Sequence, residues 1–284
     1  MIEDTGMSEL SDKAKVVNVS EKTTEPLKIM PELGKHIQEK YRPENEPEGV
    51  SIRDAYGDSI ANTIDDIIEG PGKEIRDLWE KYKDGVLVDD PDYDGFEAYY
   101  DPDSGAVTVN IENCRSGAEI GTPYQVAFHE FGHNIDFKMN EKINGDISTA
   151  YSEAYKDGLL GKTAKDEAAA FIEKYRLQME QGMGRSVSTG EACERISDEL
   201  WEKIPDIERY DLSDIFEGAT NGEINLGAGH GAGYWEFHDN GTEIFAEVFS
   251  ASVCNKGSLN AIKEYFPETY KVFKEIVRSA NEQG

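Results

Sequence analysis

His129-Glu130-Phe131-Gly132-His133, preceded closely by Thr122 and Pro123, is the stretch from which the rest of the chain is read. It has the form H-E-x-x-H. On a helix, residues four apart lie about 40° apart around the axis, so His129 and His133 project side by side. Two neutral imidazoles at that spacing hold one Zn²⁺ at about 2.0–2.1 Å each. Glu130 follows about 100° round the helix, close enough to take a proton from a water beside the metal.

The flanking residues agree with a helix. Thr122 is the expected N-cap and Pro123 suits the first helical position, where its missing N–H costs nothing. Tyr124, Phe128, Phe131 and Ile135 form an apolar stripe facing away from the histidine pair. Gly132 costs about 1 kcal/mol against Ala inside a helix, so a close approach of backbone or substrate is expected there.

A catalytic zinc needs a third protein donor and an open position. Continuing past His133 in steps of three gives Asp136 and Met139, not the Gly and His of the metzincin pattern. The better candidate is Thr242-Glu243-Ile244-Phe245-Ala246-Glu247-Val248-Phe249. Glu243 and Glu247 share one helical face, as a donor and a partner for the N–H of a ligating imidazole should. In so acidic a chain, a solvated helix face is the competing reading of that pair.

The chain has 284 residues, 38 % hydrophobic and 10 % aromatic, enough for a real core. Its net charge of −29 repels phosphate backbones and anionic lipid, which argues against nucleic-acid and membrane-surface roles. The same field attracts basic peptides or serves only solubility. Cys114, Cys193 and Cys254 are odd in number and widely spaced, which indicates neither a disulfide framework nor a thiolate zinc site. Met1–Leu10 has no apolar signal-peptide core and no apolar run reaches the ~18 residues of a membrane span, so a cytoplasmic location is expected.

Residues 1–48 are polar and broken by Pro26, Pro31, Pro43 and Pro47, and read as an N-terminal extension before a single domain over 49–284. Two helices are expected between Ala55 and Asp84, split by Gly70-Pro71-Gly72. Strands follow at Gly85–Val88, Phe96–Tyr100 and Ala106–Ile111, the last two joined through Asp101-Pro102-Asp103-Ser104-Gly105. The run Asp90–Asp101 reads either as a calcium loop of EF-hand type or as an acidic turn: Asp90, Asp92, Asp94 and Gly95 fit the loop, whereas Asp101 and flanking strands do not. Further helices are expected at Thr163–Gln181, at Ser188–Ile204 behind the capping box Ser188-Thr189-Gly190-Glu191, and at Ser258–Tyr265 and Pro267–Ser279. Gly-rich sequence from Gly218 to Gly233 leads into Gly229-His230-Gly231-Ala232-Gly233-Tyr234-Trp235.

H-E-x-x-H followed by a helix carrying E-x-x-A-E resembles the gluzincin zinc metallopeptidases. H-E-F-G-H, E-I-F-A-E-V-F and Phe266-Pro267-Glu268-Thr269-Tyr270 together resemble catalytic domains of the anthrax lethal factor type. The segment G-H-G-x-x-Y-W ahead of the glutamate helix resembles metallopeptidase-like domains associated with bacteriophage and mobile elements, which implies a virion-associated location as the alternative to a cytoplasmic one. The likeness covers about residues 75–280. It implies a zincin-like α+β fold, with a small, mostly antiparallel sheet packed on the metal helix and a largely helical C-terminal half. His129, His133 and Glu243 would then bind zinc, Glu130 would be general base and Glu247 would support a ligand.

Glu243 lies 110 positions after His133, so the helices at about 143–225 would be an insertion. Tyr234 is the first candidate for oxyanion stabilisation, with His230 and His238 as competitors or alternative ligands. Tyr234 and Trp235 as a core pair is the other reading. The expected activity is hydrolysis of a protein or peptide substrate, with Ala106–Ile111 as the sheet edge where an extended peptide pairs. Two alternatives stand beside it: a virion or assembly protein keeping the fold as a scaffold, and a host-directed effector protease.

Overall fold

The computed structural model describes residues 49–96, 98–117, 121–227, 229–236 and 240–283. The N-terminal stretch 1–48 and His238 lie outside the described residues. The order begins β1 (Val50–Ser51), α1 (Ile52–Ile68), α2 (Lys73–Tyr82), β2 (Leu87–Val88), β3 (Tyr99–Asp101), β4 (Ala106–Thr108) and α3 (Ile111–Ser116). It continues with α4 (Gln125–Asn144), α5 (Tyr151–Ala154), α6 (Leu159–Met183), α7 (Thr189–Lys203) and α8 (Asp206–Thr220). The chain then closes with α9 (Asn240–Cys254), α10 (Lys256–Tyr265) and α11 (Pro267–Gln283). The fold is mostly helical, with one small mixed sheet, compatible with the α+β class.

The sheet order is β1-β2-β4-β3. β1 pairs antiparallel with β2 and β3 antiparallel with β4, while β2 and β4 run parallel, Leu87 opposite Ala106. The β3–β4 hairpin forms where the Asp-Pro-Asp-Ser-Gly turn places it. The expected edge does not hold: β4 is internal, and β1 and β3 are the edge strands. All three β4 residues are buried, because they pair on both sides and pack on α4. The strand also ends early, since Asn110 turns the chain into α3 and its side chain accepts from the Asn113 N–H.

Helix α4 is the metal-motif helix, and it starts later than Thr122 and Pro123 suggest. Tyr124 takes a left-handed conformation (φ 64°) at its N-cap, while its N–H donates to Cys114 O at 2.6 Å. The Thr122 hydroxyl donates to Gln125 Oε1 (2.9 Å) and so caps nothing. Tyr124, Phe128, Phe131 and Ile135 are buried as expected, but so are Gln125, Asn134, Asp136 and Asn140, so the helix is enclosed on nearly every side. Elsewhere the local signals hold. Gly70-Pro71-Gly72 separates α1 from α2, Ile75, Leu78, Trp79 and Tyr82 are buried, and Ser188 accepts from the Glu191 N–H at 3.1 Å.

Among the described elements α9 packs most extensively on α4, and its other neighbours include α6, α8 and α10. Gly132 explains the closeness. A Cβ there would stand 3.0 Å from Ala246 Cα and 3.3 Å from the Phe249 ring, so the approach expected at this glycine is that of the α9 backbone. One turn on, Asp136 is fully buried and accepts from Ser152 N (2.8 Å) and Ser152 Oγ (2.5 Å), tying α4 to α5.

Burial pushes the Asp136 carboxyl up to about 8, against the pull of the Ser152 bonds. The unfolded chain releases that proton near pH 4, so the folded state holds the extra proton between about pH 4 and 8 and loses stability as pH rises through that window. Asp136→Asn keeps the shape and removes the titration. Urea unfolding of chelator-treated protein at pH 5 and pH 8 should therefore show a smaller drop in the variant than in the wild type. An equal drop would remove Asp136 as its source.

Candidate metal centre

Helix α4 presents His129 and His133 on one face, and α9 presents Glu243 and Glu247 opposite them. All four are buried. The two Nε2 atoms are 3.0 Å apart, and Glu243 Oε2 stands 3.4 Å from His129 Nε2 and 3.3 Å from His133 Nε2. Bonds of about 2.0–2.2 Å at tetrahedral angles place zinc donors about 3.3–3.6 Å apart. The triangle has close to that size. Glu243 Oε2 is also buried without a directed hydrogen-bond donor, although three imidazole nitrogens lie within 3.6 Å of it. A carboxylate oxygen held so, among ring nitrogens, suits a cation better than any hydrogen bond available there. The donor set therefore could hold a divalent cation.

Glu247 Oε1 lies 3.2 Å from His129 Nδ1. Neither atom has a directed hydrogen bond, but a proton on Nδ1 facing this carboxyl group would leave the Nε2 lone pair free for a metal. Burial disfavours the charged form of His129, but Glu247 and Glu243 outweigh it and raise the imidazole well above its ordinary value. Burial would raise Glu243 as well; His133 and His129 instead hold it well below the carboxylate range. Burial dominates at Glu247, whose carboxyl is pushed well up against the pull of His129. Glu130 is buried, and a carboxylate oxygen of it lies within 4.8 Å of the ring nitrogens of both histidines.

The glycine-rich segment brings two rings to the site. Tyr234 OH donates to Glu243 Oε1 at 2.5 Å, and His230 Nε2 stands 3.6 Å from Glu243 Oε2. The rings stack with centroids 4.1 Å apart. Of the aromatic pair it is Trp235 that joins the core, while Tyr234 addresses the metal-site carboxylate.

Helix α8, not singled out by the sequence reading, supplies three more buried carboxylates: Asp211, Asp214 and Glu217. Asp211 accepts from Gln125 Nε2 (2.8 Å) and Ser250 Oγ (2.9 Å), joining the start of α4 to α9. Asp214 Oδ1 accepts the His230 N–H at 3.1 Å. Glu217 Oε2 accepts the Gly231 N–H at 2.9 Å and faces Trp235 Nε1 at 3.4 Å. Burial raises both the Asp214 and Glu217 carboxyls. Asp211, Asp214 and Glu217 recur every three residues beside Leu212, Ile215 and Phe216 on a helix that also carries Asp206, Glu208 and Arg209, so their spacing alone does not set them apart from a solvated face.

The acidic stretch after β2 does not join this centre. Asp90 Oδ1 accepts the Asp92 N–H at 3.1 Å in a local turn. Among the described residues, groups spaced to hold a metal also include His129, Glu130 and His133, and His129, His230 and Glu243. No helix among the described residues is long and apolar enough to cross a membrane. The chain matches no protein-family model, no curated protein and no solved structure.

Proposed function

We propose that the chain is a zinc-dependent peptidase of the gluzincin kind its motifs resemble. The reading rests on one observation above all: His129 Nε2, His133 Nε2 and Glu243 Oε2 form a buried triangle with edges of 3.0–3.4 Å, the size of one face of a tetrahedral zinc site. When bound, zinc supplies Lewis acidity, which activates water and polarises a carbonyl oxygen.

The chain's own residues do the rest. The Glu130 carboxylate takes the proton released as water attacks the scissile carbonyl and delivers it to the departing amine. Glu247 fixes the ring of His129. Tyr234 now donates to Glu243, so it orients that carboxylate and serves a developing oxyanion only by exchanging one acceptor for the other. The protein or peptide substrate lies extended along β3, the edge strand beside the site, whose Tyr100 ring stacks on His133 with centroids 6.5 Å apart.

Metal content by mass spectrometry tests the centre directly. The wild type should carry one zinc per chain, with Glu243→Ala and His133→Ala sharply depleted. A wild type that binds no zinc sinks the reading. Full retention by Glu243→Ala moves the third donor elsewhere, with His230 and Glu247 next.

A further inference from the structure

Described residues of the glycine-rich segment are hydrogen-bonded to α8. Asp214 and Glu217, one turn apart and buried, accept the backbone N–H groups of His230 and Gly231 at 3.1 and 2.9 Å. Glu217 also takes the Asn225 amide, and the Leu226 N–H donates to Ser213 Oγ at 3.1 Å. Gly229 permits this approach: a Cβ there would stand 2.5 Å from Asp214 Oδ1 and 2.8 Å from Glu217 Oε1, and its φ of +132° suits glycine. Leu226, His230 and Gly231 are thus each bonded through their backbone N–H to α8. So held, the segment addresses both oxygens of Glu243, Tyr234 at Oε1 and His230 at Oε2. His230 Nε2 has acceptors beside it, Glu243 Oε2 at 3.6 Å and Asp214 Oδ2 at 3.9 Å. Its ring nitrogen, one of His129 and a Glu243 oxygen lie within 4.8 Å of one another, and its 3.6 Å approach to Glu243 Oε2 is at the upper end of the donor spacing around a tetrahedral zinc.

We infer that His230 is a third imidazole donor to the metal, delivered by a loop that α8 holds in place, so that the free protein carries a closed three-histidine, one-carboxylate site. This rests on the proposed metal centre and adds a regulation to it. A catalytic zinc needs one exchangeable position. Here that position is filled by a side chain that is 37 % exposed, so it is the donor able to leave. His230 would be the donor to give way to a carbonyl or water, and Gly229 and Gly231 flank it in the chain. Asp214 and Glu217 are positioning residues in this scheme: they touch the loop backbone, not the metal.

X-ray absorption of the zinc-loaded full chain tests the inference by counting imidazoles around the metal, without any assay of activity. The wild type should fit three imidazoles and one carboxylate. His230→Ala should fit two, with zinc still bound but weakened about tenfold or more. Gly229→Ala keeps the His230 side chain but drives a methyl into Asp214 and Glu217, so the loop must shift, and it should also fit two; three would overturn the role given to α8. If the wild type fits two imidazoles and His230→Ala gives the same spectrum and affinity, the inference is overturned while the metal centre stands. If no zinc binds to the wild type, both fall. A third imidazole that persists in His230→Ala would likewise overturn it, because the donor would then be another residue.

Discussion

Glu130→Gln should leave the zinc content of the protein unchanged and lower peptide hydrolysis by about 10²–10⁴-fold, the usual contribution of a positioned general base. The amide has the size and shape of the carboxylate, so the close packing around α4, where Glu130 is buried, is preserved. What is lost is the capacity to accept a proton. Glu130 lies within 4.8 Å of the nitrogens of His129 and His133, while Glu243, not Glu130, completes the tight triangle with them. A residue beside the metal but outside its nearest donors can act as a base without being needed to hold the ion. The two measurements therefore separate. Lost hydrolysis with full zinc supports the peptidase; lost zinc would make Glu130 a ligand; unchanged hydrolysis would leave the base elsewhere. A protein that uses this fold only as a scaffold predicts no effect of the substitution beyond stability.

The parts of this centre that were legible in the sequence are those fixed by one helix at a time. The i, i+4 spacing of His129 and His133 and of Glu243 and Glu247 is a property of helical geometry, and both pairs fall where that geometry puts them. That the two helices meet, 110 residues apart in sequence, is a tertiary fact; Gly132 was its one local sign, through the cost of glycine in a helix. The acids of α8 were illegible for a different reason. In a chain of net charge −29, Asp211, Asp214 and Glu217 look like solvated surface, and only their packed neighbours show that they are buried and bonded to the loop. The edge strand was misplaced because the parallel β2–β4 pairing joins strands that are not consecutive, and no turn signal announces such a pair. Thr122 failed as a cap because Tyr124, pinned by Cys114 O, delays the helix and leaves the threonine hydroxyl to Gln125.

Phe249→Ala should cost about 3–5 kcal/mol of unfolding free energy, a large share of the ~5–15 kcal/mol that holds an ordinary domain together. Phe249 is fully buried, its ring stands 6.5 Å from that of Phe128 on α4, and it stacks with Phe245 at 6.4 Å. It also meets Gly132 at the point where α4 and α9 cross, so neighbours cannot close the void without moving one helix against the other. That makes the substitution a test of how the metal centre is held. His129 and His133 ride on one helix and Glu243 and Glu247 on the other, so a shift at the crossing spreads the triangle and weakens zinc. The effect should be read by urea unfolding, first with chelator and then with zinc in excess. Zinc at 1,000 times its dissociation constant adds about 4 kcal/mol to a native state that alone binds it. The wild type should gain that increment, and the variant should need more zinc to reach it. A chelator-treated loss below about 1 kcal/mol would mean that the crossing is loosely packed. The donor triangle would then owe its shape to the ion and not to the two helices.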